Sequence, residues 1–334
     1  MKTKAKRLIA IVAGGNSSEY EVSLRSAEGL YSFFDHERYE VYIVVMKDLD
    51  WHVELGEGVT TPVDRNDFSF EQGGERRRFD YAYITVHGTP GENGILQGYF
   101  DLLHIPYSTS DVLVEALTFD KYALNNYLRS FGVTVADSIL LIKGHEHEVS
   151  REEIIERIGL PCFVKPVADG SSFGISKVKT VEQLQPALEK AFKQNNKIMI
   201  ERFMDGTEVT VACYKTREKT VVLPVTEIVT DNEFFDYDAK YNGEVDEITP
   251  ARISPELTSA LQAETSRIYD LLLCNGIIRI DYIVTKNADN SDCINLLEIN
   301  TTPGMTAASL VPQMVAVSDT DMATVLSDII ENQF

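Results

Sequence analysis

Cysteine is scarce, tryptophan occurs once, and no apolar run among the 334 residues comes near the ~18 needed to cross a bilayer. The four cysteines, Cys162, Cys213, Cys274 and Cys293, lack metal-binding or redox spacing. They predict buried free thiols in a reducing cytosol rather than a disulfide framework. Positive charge is also short: 31 Lys and Arg against 52 Asp and Glu leave a formal charge of −21. That balance argues against nucleic acid as a partner, because the phosphate backbone rewards clustered cations. The lack of a spanning run argues against a membrane partner. What the chain does have is an ordinary apolar fraction, 44%, which excludes wholesale disorder. At ~150 residues per domain the length fits two domains or three small ones.

The opening apolar stretch, 8–12, follows basic residues but runs into Asn16, Ser17, Ser18 and Glu19 without a small-residue cleavage site. It therefore predicts a first buried strand rather than a signal peptide. Gly14-Gly15 and Ser18-x-x-Glu21 predict a capping box that opens a helix, continued by Leu24, Ala27, Leu30, Tyr31 and Phe34 at helical spacing. With strands over 41–46 and 81–86 and a helix over 94–103, the first hundred residues predict an open α/β unit built on a parallel sheet. Beyond residue 118, helices over 120–131 and 151–158 mix with strands over 133–142, 162–167, 175–179 and 197–203, the pattern of an α+β unit with an antiparallel sheet. A glycine- and serine-rich connection, 168–174, joins two of those strands. The remainder predicts strands over 208–214, 221–229, 277–285 and 293–300, helices over 255–275 and 321–332, and a polar, aromatic loop over 231–250 long enough to act as a lid. With no internal repeat or low-complexity linker, the expected division is three packed units over 1–109, 110–204 and 205–334.

Two carboxylates in the last hairpin carry the strongest local signal. A turn centred between Asp289 and Asn290 places Asp281 opposite Glu298 if no bulge intervenes, with Arg279 and Asn300 on the same face. Ile278, Ile280, Leu297 and Ile299 then point into a core. An Asp, Glu and Asn set of hard oxygens suits Mg²⁺ or Mn²⁺ bound with phosphates; a solvated polar face on which Arg279 neutralises one carboxylate is an equal reading of the hairpin alone. Lys165-Pro166 before the Gly170–Gly174 connection suggests an anion cradle, although no Walker A pattern follows. His87-Gly88 stands at a strand end, where open α/β sheets bind ligands. Asp238-Ala239-Lys240-Tyr241 puts a lysine and a tyrosine on the lid.

The order of these elements resembles the D-alanine–D-alanine ligases of the ATP-grasp superfamily, from the first strand to the last helix. The resemblance is carried by Glu19 to Ser23, His87-Gly88 with Gly91 to Gly94, Asp120-Lys121, Val164-Lys165-Pro166, Gly170 to Gly174, Tyr237 to Tyr241, Gly276 to Asp281 and Glu298 to Met305. It implies an N-terminal α/β unit followed by two α+β units that form an ATP-grasp cleft. It also implies ATP-dependent joining of two D-alanines, through an acyl phosphate, for peptidoglycan precursors. The implied substrates are D-alanine and ATP, the implied ions two Mg²⁺ or Mn²⁺, the implied setting the cytoplasm and the implied assembly a homodimer through the N-terminal unit. Lys121 and Lys165 would contact phosphates, and Glu201 and Glu208, flanking Arg202, Phe203 and Met204, would hold the adenine and ribose ends. Asp281, Glu298 and Asn300 would ligate the ions. Glu21 would hold the first D-alanine's ammonium, with Ser171 and Tyr241 as a latch and His87 beside the substrate. Arg279 and the Gly304 N–H would face the oxyanion, and Ser309 and Leu310, with Lys240, the second carboxylate.

Departures at Thr89-Pro90, Asn93 and Thr302 touch loop detail rather than these groups. The Lys240-Tyr241 pair implies an amine acceptor, since relatives that make lactate-terminated products lack it. Alternatives with the same fold are another ATP-grasp carboxylate–amine ligase, joining D-alanine to a different acceptor, or a non-catalytic nucleotide-binding regulator.

Overall fold

The computed structural model describes residues 6–168, 174–230 and 245–334. The first strand, β1 (Arg7–Gly14), is flanked in parallel by β2 (Tyr39–Lys47) and β7 (Tyr81–Ile84), with helix α1 (Tyr20–Phe33) crossing between β1 and β2. The predicted parallel sheet is thus present. Beyond β2 it continues as an antiparallel meander that the sequence does not predict: β3 (Asp50–Gly56), β4 (Val59–Asp64), β5 (Ser69–Gln72) and β6 (Glu75–Arg78). These strands are largely exposed and lack a continuous apolar run, so periodicity gives no signal. Helix α2 (Ile95–Leu103) covers one face.

The expected capping box is absent. Helix α1 starts at Tyr20 after Glu19, so Ser18 lies one residue too early to be its N-cap and no side chain caps it; just ahead of it the Ser17 hydroxyl donates to the His87 carbonyl at 2.7 Å. Ser23 performs the pinning instead: its hydroxyl accepts from the Gly14 N–H at 2.8 Å and donates to the Thr85 carbonyl at 2.6 Å. Gly14 has φ +96°, and a Cβ there would lie 2.3 Å from the Met46 carbonyl oxygen, so only glycine fits the strand end.

Two helices follow, α3 (Val112–Phe119), capped by Asp111, and α4 (Lys121–Arg129), capped by Asp120. Between β8 (Ser138–Ile142), β9 (Cys162–Pro166), β10 (Ser176–Val178) and β11 (Lys197–Arg202) every pairing is antiparallel, in the order β10-β9-β11-β8, as expected. Helices α5 (Arg151–Arg157) and α6 (Val181–Ala191) back this sheet. The strand predicted over 133–142 forms only from Ser138; ahead of it the Thr134 carbonyl accepts from the Leu296 N–H and the Ala136 carbonyl from the Arg129 guanidinium.

The third sheet runs β15-β14-β12-β16-β17, with β13 paired to β12. Its strands are β12 (Thr207–Lys215), β13 (Thr220–Val222), β14 (Thr226–Thr230), β15 (Val245–Ile248), β16 (Ile277–Lys286) and β17 (Asp292–Asn300). The strand expected over 221–229 is split at Leu223-Pro224, proline having no N–H for the ladder. The loop expected over 231–250 ends in a strand, β15, paired with β14; its portion over 231–244 lies outside the described residues. Helix α7 (Pro255–Leu272) covers the apolar face, and α8 (Leu310–Ala316) and α9 (Met322–Glu331) close the chain.

Four apolar clusters hold these layers. The largest joins α1 and one face of the N-terminal sheet to Ala212, Tyr214, Met305, α8 and α9, so the first and last units share a core. Helices α3 and α4 pack with the third sheet and α7. Close approach is part of that joint: a Cβ on Gly29 of α1 would lie 2.4 Å from the Met305 carbonyl oxygen. Gly29→Ala is therefore expected to destabilise the protein in a denaturant titration, because overpacking costs about 1–3 kcal/mol. The ~1 kcal/mol by which alanine is the better helix former does not offset that. Of the cysteines, Cys162 and Cys213 are buried with thiols pushed up by burial to about 11 and about 12, but Cys274 and Cys293 are only partly covered, against expectation. Among the described residues no helix is long and apolar enough to cross a membrane.

Candidate active site

Pairing register places the predicted hairpin residues on one side of the third sheet. Asp281 stands opposite Glu298 and Arg279 opposite Asn300, while Thr210 and Ala212 of β12 face Asp281 and Arg279. Glu208 lies on the same face as Thr210. The opposite face carries Val209, Val211, Ile278, Ile280, Tyr282 and Ile299 in the core. The expected pairing is correct, although its assumed geometry is not. The turn pairs Lys286 with Asp292, half a residue off the assumed centre, and a bulge opposite Asp281/Tyr282 restores the register. The bulge also moves Leu296, rather than the expected Leu297, into the core.

Arg279 grips Asp281 with both arms, Nε to Oδ1 and Nη2 to Oδ2, each at 2.9 Å. Thr210 donates a short hydroxyl bond to Oδ1, and the Asn300 amide donates to Oδ2 at 3.1 Å. Burial would lower the Arg279 pKa, but the Asp281 carboxylate and, less strongly, Glu298 outweigh it and hold the guanidinium firmly charged. Across the hairpin, Lys121 at the start of α4 approaches the Glu298 carboxylate at 3.4 Å. The Lys121 N–H donates to the Val167 carbonyl at 2.8 Å, so this residue ties the end of the second sheet to the hairpin of the third. Each of two opposed carboxylates thus has its own cation.

The donor set fits a hard divalent ion. Among the described residues no three His, Cys, Asp or Glu side chains cluster tightly enough to hold a metal unaided. Two carboxylates and an amide on one face would leave an ion open positions of the kind phosphate oxygens fill. All four lone-pair directions of Asp281 accept hydrogen bonds here; turning the Asn300 amide over frees one of them and presents an oxygen instead.

On the second sheet Lys165 and Glu201 share a face of β9 and β11 and form a buried ion pair at 2.6 Å, with Asn125 donating to the other carboxylate oxygen at 3.3 Å. Beyond them the Phe203 ring lies 6.0 Å from Phe163, with the Lys177 ammonium 3.9 Å from its centroid. The Arg202 side chain turns away to the Arg157 carbonyl and Asp137, leaving its backbone to line the strand end; Met204 is half-buried beside it.

The third part of the site lies against the N-terminal unit. His87 is buried, and burial lowers its pKa, so the ring is neutral. It lies 3.3 Å from the Ser26 hydroxyl and bonds the Thr302 backbone. Ser309 stands at the N-cap of α8 without a side-chain cap bond and has its hydroxyl 2.8 Å from that of Thr306; a Cβ on Gly304 would lie 3.0 Å from it, so Gly304 and Ser309 are immediate neighbours. Leu310 packs at the edge of the shared core rather than in the open. Glu21 is exposed in the first turn of α1 and has no side-chain hydrogen bond among the described residues. Ser171, Lys240 and Tyr241 lie outside the described residues.

Three acidic groups here are given no role by the sequence, although Glu92 lies within the Gly91 to Gly94 motif. Glu247 of β15 faces the same side of the sheet as Glu208, is gripped by Gln313 of α8 at 2.6 Å and is raised by burial. Glu115 is wholly buried and appears to the eye as an apolar position of α3. Glu92 accepts from the Gly88 N–H at 2.6 Å, yet burial, and the charge of Glu19 beside it, push its carboxyl up to about 8. A carboxyl raised from 4.5 to about 8 binds its proton more tightly when folded, so its contribution falls as pH rises through that window. Glu92→Gln is expected to gain stability relative to wild type between pH 6 and about 8.5, read from thermal melts across pH; parallel melting curves at all pH values would contradict it.

Two antiparallel sheets, one carrying a buried lysine–glutamate pair and the other an Asp, Glu and Asn set, tied together at Lys121, define the ATP-grasp class. Family models agree: the D-ala D-ala ligase N-terminus matches residues 8–110 and the D-ala D-ala ligase C-terminus matches 127–331. The chain belongs to the D-alanine–D-alanine ligase family. It is 60% identical to the D-alanine–D-alanine ligase of Phocaeicola vulgatus, over 98% of this chain and 100% of that one. Among solved structures it is similar to the VanG D-Ala:D-Ser ligase of Enterococcus faecalis, with TM-score 0.87 and 30% identity, over 99% of this chain and 100% of the other. It is also similar to a D-alanine–D-alanine ligase of Bacillus anthracis complexed with ATP, with TM-score 0.75 and 25% identity, over 98% and 96%.

Proposed function

We propose that this protein joins two D-alanines with ATP, giving D-alanyl-D-alanine, ADP and phosphate for cell-wall synthesis. The observation that supports it most is the single sheet face carrying Arg279, Asp281, Glu298 and Asn300, within reach of Lys121, in a chain 60% identical to a D-alanine–D-alanine ligase over its whole length. A carboxylate is a poor electrophile. Transfer of the ATP terminal phosphoryl group to the first D-alanine makes it an acyl phosphate, and attack by the second amine expels phosphate.

Lys121 and Lys165 offset phosphate charge, the main demand of phosphoryl transfer. Glu201, Glu208 and the strand end Arg202, Phe203 and Met204 receive the nucleoside. Asp281, Glu298 and Asn300 would hold two Mg²⁺ or Mn²⁺ ions, which supply charge neutralisation between phosphates. Glu21 holds the ammonium of the first D-alanine, with Ser171 and Tyr241 as its latch and neutral His87 behind it. Arg279 and the Gly304 N–H meet the tetrahedral oxyanion. Ser309, the Leu310 backbone and Lys240 receive the second carboxylate. Closure of the segment 231–250 would keep water from the acyl phosphate. The units 1–109, 110–204 and 205–334, the cytoplasmic setting and a homodimer through the N-terminal unit belong to the same proposal.

The test is ADP release with ATP, Mg²⁺ and D-alanine, with the product identified by mass. Dipeptide formation that prefers D-alanine over D-serine and D-lactate near neutral pH is the expected result. The likeness to a D-Ala:D-Ser ligase gives the second reading its substance, and preferential mixed-dipeptide formation would establish that reading instead.

A further inference from the structure

Glu115 is an expensive residue in its place. It is 0% exposed on α3, between the first and second units, and burial drives its carboxyl well above the usual range. A buried carboxyl costs free energy unless its oxygens are bonded, and both are. The Ser110 N–H donates to Oε1 at 2.9 Å, and the Thr301 hydroxyl, 186 positions along the chain, donates to Oε2 at 2.6 Å.

Those two bonds join segments that border opposite sides of the site. On one side, Ser110 is itself tied to Asn275, just ahead of β16: the Asn275 N–H donates to the Ser110 hydroxyl at 3.1 Å, and the Asn275 amide donates to the Thr109 carbonyl at 3.0 Å. Helix α3 then runs to Asp120, which caps α4 and starts it at Lys121. On the other side, Thr301 is the first residue after β17, directly beyond Asn300 and three residues before Gly304. Its neighbour Thr302 has a buried hydroxyl without a protein partner among the described residues, lining a small cavity with Thr85, Ser108 and Thr109. From the α3 side, the polar hold on this turn therefore passes through Thr301.

We propose that Glu115 is a positioning residue: its bond to Thr301 fixes the strand-end turn that carries Asn300 and Gly304 relative to the helix that delivers Lys121. It touches no substrate. It sets the spacing between the lysine and the oxygen donors on the two sides of the phosphate site, and this inference rests on the ligase reading above. Thr301 lies within the Glu298 to Met305 motif but Glu115 belongs to none; the connection exists only once helix α3 is folded under the last strand.

The experiment measures dipeptide formation by the full chain with Glu115→Ala, Glu115→Gln, Thr301→Val, Thr301→Ser and the double variant Glu115→Ala/Thr301→Val. Misplacement by about 1 Å costs up to about a hundredfold in rate. Glu115→Ala and Thr301→Val are each expected to lower kcat roughly tenfold to a hundredfold, while KM for ATP moves less than about threefold. The double variant is expected to be no slower than the worse single one, since both remove the same contact. Glutamine and serine still bridge this point and are expected to restore kcat. Additive losses, a Glu115→Gln variant as slow as Glu115→Ala, or an unaffected Glu115→Ala would each overturn the inference. Should Glu115→Ala fail to fold, Thr301→Val against Thr301→Ser decides, and equal kcat values overturn it. A wild-type chain that forms no dipeptide overturns the ligase reading and this inference together; a ligating wild type beside an unaffected Glu115→Ala overturns this inference alone.

Discussion

Glu298→Gln is expected to lower kcat for dipeptide formation on the order of a thousandfold, equivalent to about 4 kcal/mol of barrier, at saturating ATP and Mg²⁺. The substitution keeps size and one oxygen but removes the charge that faces Asp281 across the hairpin and Lys121 at 3.4 Å. Folding should survive, because Glu298 is only partly buried and losing one of two opposed carboxylates relieves repulsion. The loss belongs to the chemistry, so thermal stability should match wild type while turnover disappears. This result also separates a ligase from a nucleotide-binding regulator, whose nucleotide-dependent output would persist without turnover.

The second large effect is expected at Arg279. Replacing it with methionine confounds two losses: an oxyanion donor, commonly worth 10²–10³ in kcat, and the counterion of Asp281, whose removal from a buried pair costs about 3–5 kcal/mol of stability. Arg279→Lys separates them. Lysine keeps a positive charge beside Asp281 but loses the planar fork that spans both carboxylate oxygens at 2.9 Å. The folded state and divalent-ion binding are expected to persist, with kcat and kcat/KM falling together by at least roughly tenfold, the signature of a contact made in the transition state. A rise in KM at unchanged kcat would instead place Arg279 in ground-state binding.

Much of this site is legible in the sequence because it is built from registers and short motifs. The Asp281–Glu298 pairing follows from the position of one turn, and survives a half-step error in that turn because a bulge compensates it. The alternating apolar residues of β12 and β16 fix which face is polar, since a one-residue slip would turn Asp281 into the apolar core and Ile280 out of it. The neutralising role of Arg279 and the metal-ligand role of Asp281 are alternatives on the sequence alone; in the structure the guanidinium clasp and the oxygen set occupy the same face.

What is not legible has a common cause: partners far apart in sequence. Lys165 and Glu201 read as separate features, and their 2.6 Å contact depends on the pairing of β9 with β11. Glu115 and Glu247 belong to no motif and gain their meaning from partners in other elements, Thr301 and Gln313. The capping box fails because the helix starts one residue later than the pattern implies, at Tyr20, which leaves Ser18 outside the N-cap and Glu21 outside the third helical position. The meander β3–β6 is built from strands too short and too polar to show a period.

The central claim is spatial: oxygens of Asp281, Glu298 and Asn300 gather divalent ions that hold the nucleotide phosphates beside Lys121. Crystals grown with ADP, phosphate, D-alanine and Mn²⁺, with data collected at the manganese edge, measure it directly. Anomalous peaks within coordination distance of those three side chains, in contact with phosphate oxygens, are the expected result. Manganese bound elsewhere, with Asp281 still clasped by Arg279 and the Glu298 carboxylate turned to Lys121, would contradict it.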